Sequence, residues 1–193
     1  MPTKKIKTPV IPGNTYHIYN RGNNYQNVFL MDEDYHLFLN KIKLYLTDYC
    51  AIFAFALLPN HYHLLLRLND EMEETKFSLQ FTKFILSYTN KVNFRERRNG
   101  SLFLSNFRRI KIDDENYLRR LVYYINHNPT KHGVVEDYRS YDFCSYKILI
   151  SEKPTSLSRD EVISWFGERK DFIDYHNYLH DQESYHNLTF END

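Results

Sequence analysis

The stretch from Ala51 to Leu68 constrains this chain most. It opens on an unbroken apolar run, Ala-Ile-Phe-Ala-Phe-Ala-Leu-Leu, turns at Pro59-Asn60, and returns as His-Tyr-His-Leu-Leu-Leu-Arg-Leu. A short continuous apolar run bounded by a turn signal is a strand buried on both faces. Pro-Asn suits the centre of a β-turn, so 61–68 is its hairpin partner. Side chains alternate along a strand. His61, His63, Leu65 and Arg67 therefore share one face, and Tyr62, Leu64, Leu66 and Leu68 line the other, apolar one. Two imidazoles side by side on a rigid strand are half of a metal site, which needs further ligands to be complete.

The rest of the chain supplies the partners of that hairpin. Tyr16 to Arg21 reads as a strand closed by Gly22 and Asn23-Asn24. Asp32 caps a helix whose apolar positions (Tyr35, Phe38, Leu39, Ile42, Tyr45, Leu46, Tyr49) recur by three and four. A second helix covers about 73–94, with Phe77, Phe81, Phe84, Ile85, Tyr88 and Val92 at the same spacing. After Asn99-Gly100 an extended segment, 101–112, ends in Arg108-Arg109-Ile110-Lys111-Ile112. That order is β-α-β-β-α-β, a ferredoxin-like α+β arrangement with an antiparallel sheet. Asp113 or Asp114 then caps a third helix, an addition to that fold, that runs to about His127 and stops at Pro129 and Gly133. The chain divides into a domain over 1–147 and an acidic helical extension over 148–193. In the extension, Ser158 and Glu161 form a capping box and Gly167 ends the short helix they start. A further helix reaches about His180, and the last dozen residues fray.

Charge is distributed unevenly behind a net of zero. Residues 148–193 carry four basic against ten acidic side chains, a net of −6, and 1–147 carry a net of +6. The excess concentrates in 91–120, with Arg95, Arg97, Arg98, Arg108, Arg109, Lys111 and Arg120 among nine basic residues against four acidic ones. Such a stripe implies a phosphate-bearing partner, and 17 tyrosines and 14 phenylalanines could stack on bases. Arg67, on the histidine face, is placed to touch a phosphate. His17 and Arg21 share a face of the first strand, where they either pack the strand and fix its turn or contact the same partner. No apolar run reaches the roughly 20 residues of a membrane span, and the lysine-bearing N-terminus lacks a signal peptide's apolar stretch. Two cysteines are too few for a disulfide scaffold, which points to the cytoplasm.

The third helix offers the missing ligands. At 100° per residue, Leu118, Leu121, Val122 and Ile125 form a stripe that faces the sheet. Tyr124 and Asn128 lie together on its shoulder, whereas Tyr123 and His127 fall nearly opposite it, towards solvent. A helix packed beside the histidine strand would thus bring Tyr124 and Asn128 to the cleft.

These residues resemble a known family. His61-Tyr62-His63 is similar to the histidine-hydrophobe-histidine motif of the HUH nucleases, and Tyr124-Ile125-Asn126-His127-Asn128-Pro129 to the tyrosine helix of their single-tyrosine, insertion-sequence-type transposases. With Tyr16 to Gly22 and Leu58 to His63, the pattern over about 14–147 resembles the REP-associated tyrosine transposases more closely still. The resemblance implies that His61, His63 and Asn128 hold Mg²⁺ or Mn²⁺, which activates the scissile phosphate. It implies that Tyr124 attacks to give a 5′-phosphotyrosine link, on single-stranded DNA that forms hairpins at palindromic repeats. Asn128 stands where other insertion-sequence relatives have glutamine, but matches the REP-associated branch. Tyr62 is bulkier than the usual aliphatic residue and points to the core. Such a protein acts as a monomer or homodimer. Two other readings remain: a domesticated hairpin-binding protein that has lost mobility, and a metal-dependent phosphoesterase that uses water.

Overall fold

The structure is a computed structural model that describes residues 9–71, 73–105 and 107–183. Four strands, β1 (Thr15–Arg21), β2 (Cys50–Leu58), β3 (His61–Leu68) and β4 (Arg108–Ile112), form one antiparallel sheet in the order β2-β3-β1-β4. Helices α1 (Asp32–Tyr45) and α2 (Glu74–Arg95) interrupt them in chain order, so the β-α-β-β-α-β expectation holds. The tyrosine helix α3 (Glu115–Lys131) follows, and then α4 (Tyr146–Ile150), α5 (Arg159–Ser164) and α6 (Arg169–Glu183). No helix among the described residues is long and apolar enough to cross a membrane.

The alternation of β3 sorts the two cores. Tyr62, Leu64, Leu66 and Leu68 join Phe38, Phe81, Phe84 and Tyr88 beneath α1 and α2. Leu65 joins Leu121, Val122 and Ile125 beneath α3. On β2 a bulge lies between Ile52 and Ala54, so Phe53 and Ala54 both face the α3 layer. That extra residue aims Phe53 at Trp165, 4.7 Å between ring centroids. The edge of β2 is covered by the chain after α3, through Leu57 N to Phe143 O (2.9 Å), Ser145 N to Phe55 O (2.9 Å) and Ser158 N to Ile52 O (2.9 Å). Covering an edge in this way removes a site for unwanted strand pairing.

Several local expectations are corrected. Met31, not Asp32, is the N-cap of α1; Asp34 instead reaches back to accept from Leu30 N at 2.9 Å. Among the described residues of 101–112, 108–112 form the strand, and Phe103 makes an isolated bridge to Gly22. Asp114 caps α3 by accepting from Tyr117 N at 2.7 Å, but the helix runs through Pro129 to Lys131. A proline in the last turn removes only the bond to the Ile125 carbonyl; Val134 N to Pro129 O (2.8 Å) and Gly133 at φ +66° close the end. The Ser158–Glu161 capping box does not form, because Glu161 turns to Arg67. Tyr123 and His127 are buried rather than solvent-facing, because Tyr138 and the α6 residues His176 and His180 pack around them. The extension thus completes the core around α3. The frayed tail falls outside the described residues from 184 onward.

Candidate active site

Backbone bonds fix the turn that presents the histidines. Gly22 N donates to Asn60 O at 2.7 Å, and Val28 N and Phe29 N both donate to Pro59 O, at 2.7 and 3.0 Å. A Cβ on Gly22 would stand 2.0 Å from Gln26 O, so only glycine allows this approach. Asn60 then holds His61, its Oδ1 lying 2.6 Å from His61 Nδ1. An amide oxygen only accepts, so Nδ1 carries the proton and Nε2 presents its lone pair. That Nε2 is buried with no hydrogen-bond partner among the described residues.

On the neighbouring strand, β1 pairs Tyr19 with His63 and Arg21 with His61. The face therefore continues through His17, Tyr19 and Arg21. His17 Nε2 lies 3.0 Å from His63 Nδ1, and both residues are fully buried. Tyr19 stacks on His17 at 4.9 Å and on His63 at 5.7 Å. Burial holds the His17 imidazole down at about 3. It does the same for His61, helped by His132, Arg21 and Lys131. His63 is lowered by burial and then by its histidine and lysine neighbours. All three rings are neutral at pH 7, the state a metal ligand requires.

Helix α3 brings Tyr124 to these rings. Its ring stands edge-on to His63 at 6.0 Å and to His17 at 6.5 Å. Lys131 Nζ lies 3.5 Å from the Tyr124 hydroxyl and 4.6 Å from the ring centroid. Asn128, fully buried, donates from Nδ2 to Tyr124 O at 2.9 Å, leaving its Oδ1 buried without a partner among the described residues. His132 meets the His61 ring at 4.6 Å. Tyr123 lies on the other side of the helix, against His127 and Tyr138.

The donor types suit a divalent cation: two neutral imidazoles on β3 and the amide oxygen of Asn128 on α3, with the His61 Nε2 and Asn128 Oδ1 lone pairs unclaimed among the described residues. Among the described residues no group of three His, Cys, Asp or Glu could by itself hold a metal ion, and the donor set contains no carboxylate. The set therefore brings no negative charge, while Arg21 and Lys131 add positive charge beside it.

The remaining predicted contacts divide by location. Arg108 shares the cleft face of β4, whereas Arg109 and Lys111 alternate to the α2 face. Arg95 is committed to Asp34, with bonds of 2.5 and 2.8 Å, on the far side of the sheet. Arg98 donates to Gln26 Oε1 at 2.8 Å, Arg97 lines a groove beside α2, and Arg120 is exposed on α3. Arg67 sits at the opposite end of β3 from the histidines, forming a two-point ion pair with Glu161 whose Nη2 to Oε2 arm is 3.0 Å. Sequence reasoning passed over Asn60, Tyr19, Lys131 and His132. Tyr19 was readable from the alternation of His17 and Arg21, and Lys131 from its place two turns after Tyr124.

Comparison with known proteins now adds to this geometry. No family model matches the chain. A curated protein of Haemophilus influenzae named as a REP-associated tyrosine transposase is 28% identical over 132 residues, 55% of this chain and 74% of that protein. A solved structure of a REP-associated tyrosine transposase bound to a REP hairpin superposes with a TM-score of 0.67 at 21% identity, covering 79% of this chain and 89% of that one. In sequence and in fold the chain resembles the REP-associated tyrosine transposases. A second curated match, 28% identical over 111 residues, is to a serine protease/ABC transporter B family protein of Dictyostelium discoideum. The chain spans only 5% of that protein's length. The transposase likeness covers most of its relatives' length, and the solved structure shares the antiparallel sheet and its helices.

Proposed function

We propose that this chain nicks and rejoins single-stranded, hairpin-forming DNA through a covalent link to Tyr124. One observation carries this reading: a single chain sets the Tyr124 ring edge-on to His63, with Asn128 one turn further along. The two relatives named as REP-associated tyrosine transposases support it, one of them bound to a REP hairpin.

In this reading the Tyr124 oxygen attacks phosphorus in line. The Tyr124 O–P bond forms, the P–O3′ bond breaks, and the phenol proton passes to the departing 3′ oxygen. Lys131, 3.5 Å from that oxygen, places positive charge where negative charge gathers during attack. Arg21 and Arg108 lie on the same face to receive flanking phosphates. Because the link keeps the phosphodiester's energy, a 3′-OH can reverse the step and rejoin the strand. His61, His63 and Asn128 would hold Mg²⁺ or Mn²⁺, which withdraws electrons from a non-bridging phosphate oxygen. Asn60 and His17 serve as positioning residues, setting which nitrogen of each ligand histidine faces the cleft.

The neutral donor set predicts that cation and DNA bind together, since the phosphate supplies the missing negative charge. In a Mn²⁺ titration, affinity is expected to rise when hairpin DNA is present; affinity unchanged by DNA would contradict this. The reaction itself is tested by incubation with hairpin-bearing single-stranded DNA and Mn²⁺. A denaturation-resistant protein–DNA adduct is expected, lost in Tyr124→Phe and in His61→Ala. Cleavage that persists in Tyr124→Phe would mark a phosphoesterase using water, and tight binding without an adduct would mark a hairpin-binding protein.

A further inference from the structure

A second feature lies on the opposite side of the sheet. Between α2 and residues 97–105, 107 and 109 runs a groove of about 1210 Å³, larger than the about 300–1,000 Å³ that encloses a drug-sized ligand. Its described lining includes Arg97, Arg98 and Arg109 and contains no Asp or Glu. Phe94, at the end of α2, is 85% exposed on its rim, and Phe107 lies deeper, with the Arg109 guanidinium 5.6 Å from its ring. The exposed Phe94 ring and the arginines line the same groove, offering a flat apolar face together with positive charge.

We propose that this groove holds an unpaired segment of single-stranded DNA, with a base stacked on Phe94 and its phosphates at Arg97 and Arg98. The argument rests on complementarity. A lining whose charged residues, among those described, are all arginines selects an anion, and exposed aromatic rings select flat apolar faces. Nucleotides combine both. The groove also has a route to the cleft. Asn20 opens into it, while its neighbours Tyr19 and Arg21 face His63 and His61 from the other side of β1. β4 is the edge strand, and its Arg108 and Arg109 point to opposite faces, so a strand passing over that edge meets positive charge throughout.

This inference deepens the function proposed above by giving the substrate's unpaired flank its own site. The test measures fluorescence anisotropy of two labelled DNAs, a hairpin alone and the same hairpin with a short unpaired extension. Phe94 and Arg97 are exposed, so their variants should fold. Phe94→Ala and Arg97→Gln are each expected to weaken binding of the extended hairpin about tenfold and to leave the bare hairpin unaffected. Arg97→Gln should also flatten the salt dependence. Equal loss on both DNAs, or displacement by polyglutamate as effective as by single-stranded DNA, would overturn the groove assignment. Wild-type protein that binds neither DNA contradicts the proposed function as well. Wild-type binding matched by both variants contradicts the groove alone.

Discussion

At the scale of the residue, the site depends on which nitrogen each histidine offers. His61 and His63 were legible as a pair because two-residue spacing on a strand admits no other arrangement. Their supports were not, since Asn60 reads as a turn residue and His17 as a surface contact until β1 is placed beside β3. His17 is fully buried against His63, so its role follows from packing that no local pattern reveals. Loss of either support should weaken the proposed cation site without unfolding the chain. Asn60→Ala and His17→Ala are expected to weaken Mn²⁺ binding about 10- to 100-fold, read by titration calorimetry; unchanged affinity in both would reject the positioning roles. Arg95 teaches the reverse lesson, because charge alone marked it as a DNA contact. Burial works to raise the Asp34 carboxyl, but the Arg95 hydrogen bonds and the Leu30 N–H outweigh it and hold it below the usual carboxylate range. Asp34 has no side-chain exposure, so Arg95→Met leaves a buried charge unpaired. Denaturant unfolding should record a loss of about 3 kcal/mol, with DNA affinity unchanged.

At the scale of the element, α3 was readable in its stripe and its capping aspartate but not in its surroundings. Helical geometry put Tyr123 and His127 opposite the sheet, and the inference of solvent there failed because the extension fills that side. A buried relay registers the pieces. Phe55 N donates to Ser145 Oγ (3.1 Å), Ser145 Oγ to Asn126 Oδ1 (2.6 Å), and Asn126 Nδ2 to His176 Nε2 (3.3 Å). His176 Nδ1 in turn donates to Phe172 O at 2.8 Å. Both ring nitrogens are engaged in the neutral form, and burial holds His176 down at about 3. Its ordinary value is 6.5, so between these limits the unfolded chain binds a proton that the folded chain refuses. Stability is full above pH 6.5 and falls as the pH drops towards 3, by about 2 kcal/mol at about pH 5 from this residue alone. Thermal melts against pH should show that decline, with a shallower one in His176→Gln; identical slopes would remove His176 from the relay.

At the scale of the whole molecule, the order of elements along the chain was recoverable, because apolar periodicity and turn signals mark each strand and helix between 15 and 112 in turn. The boundary at 147 was drawn from charge, which describes surfaces and not cores. Phe172 lies in the acidic extension yet is fully buried in the cluster that holds Tyr123 and Ile125. Phe172→Ala should therefore cost about 3–5 kcal/mol by chemical denaturation, as for a central core residue; a loss under about 1 kcal/mol would mean the extension is only appended. Because one chain carries Tyr124 and both histidines to a common cleft, mixing Tyr124→Phe with His61→Ala is expected to restore no activity. The central claim is that the Tyr124 oxygen takes the phosphate. Its most direct test is mass spectrometry of the protease-digested adduct formed on hairpin DNA with Mn²⁺. A nucleotide 5′-phosphate is expected on the peptide containing Tyr124; the same mass on Tyr123 or another residue would rule Tyr124 out as the nucleophile.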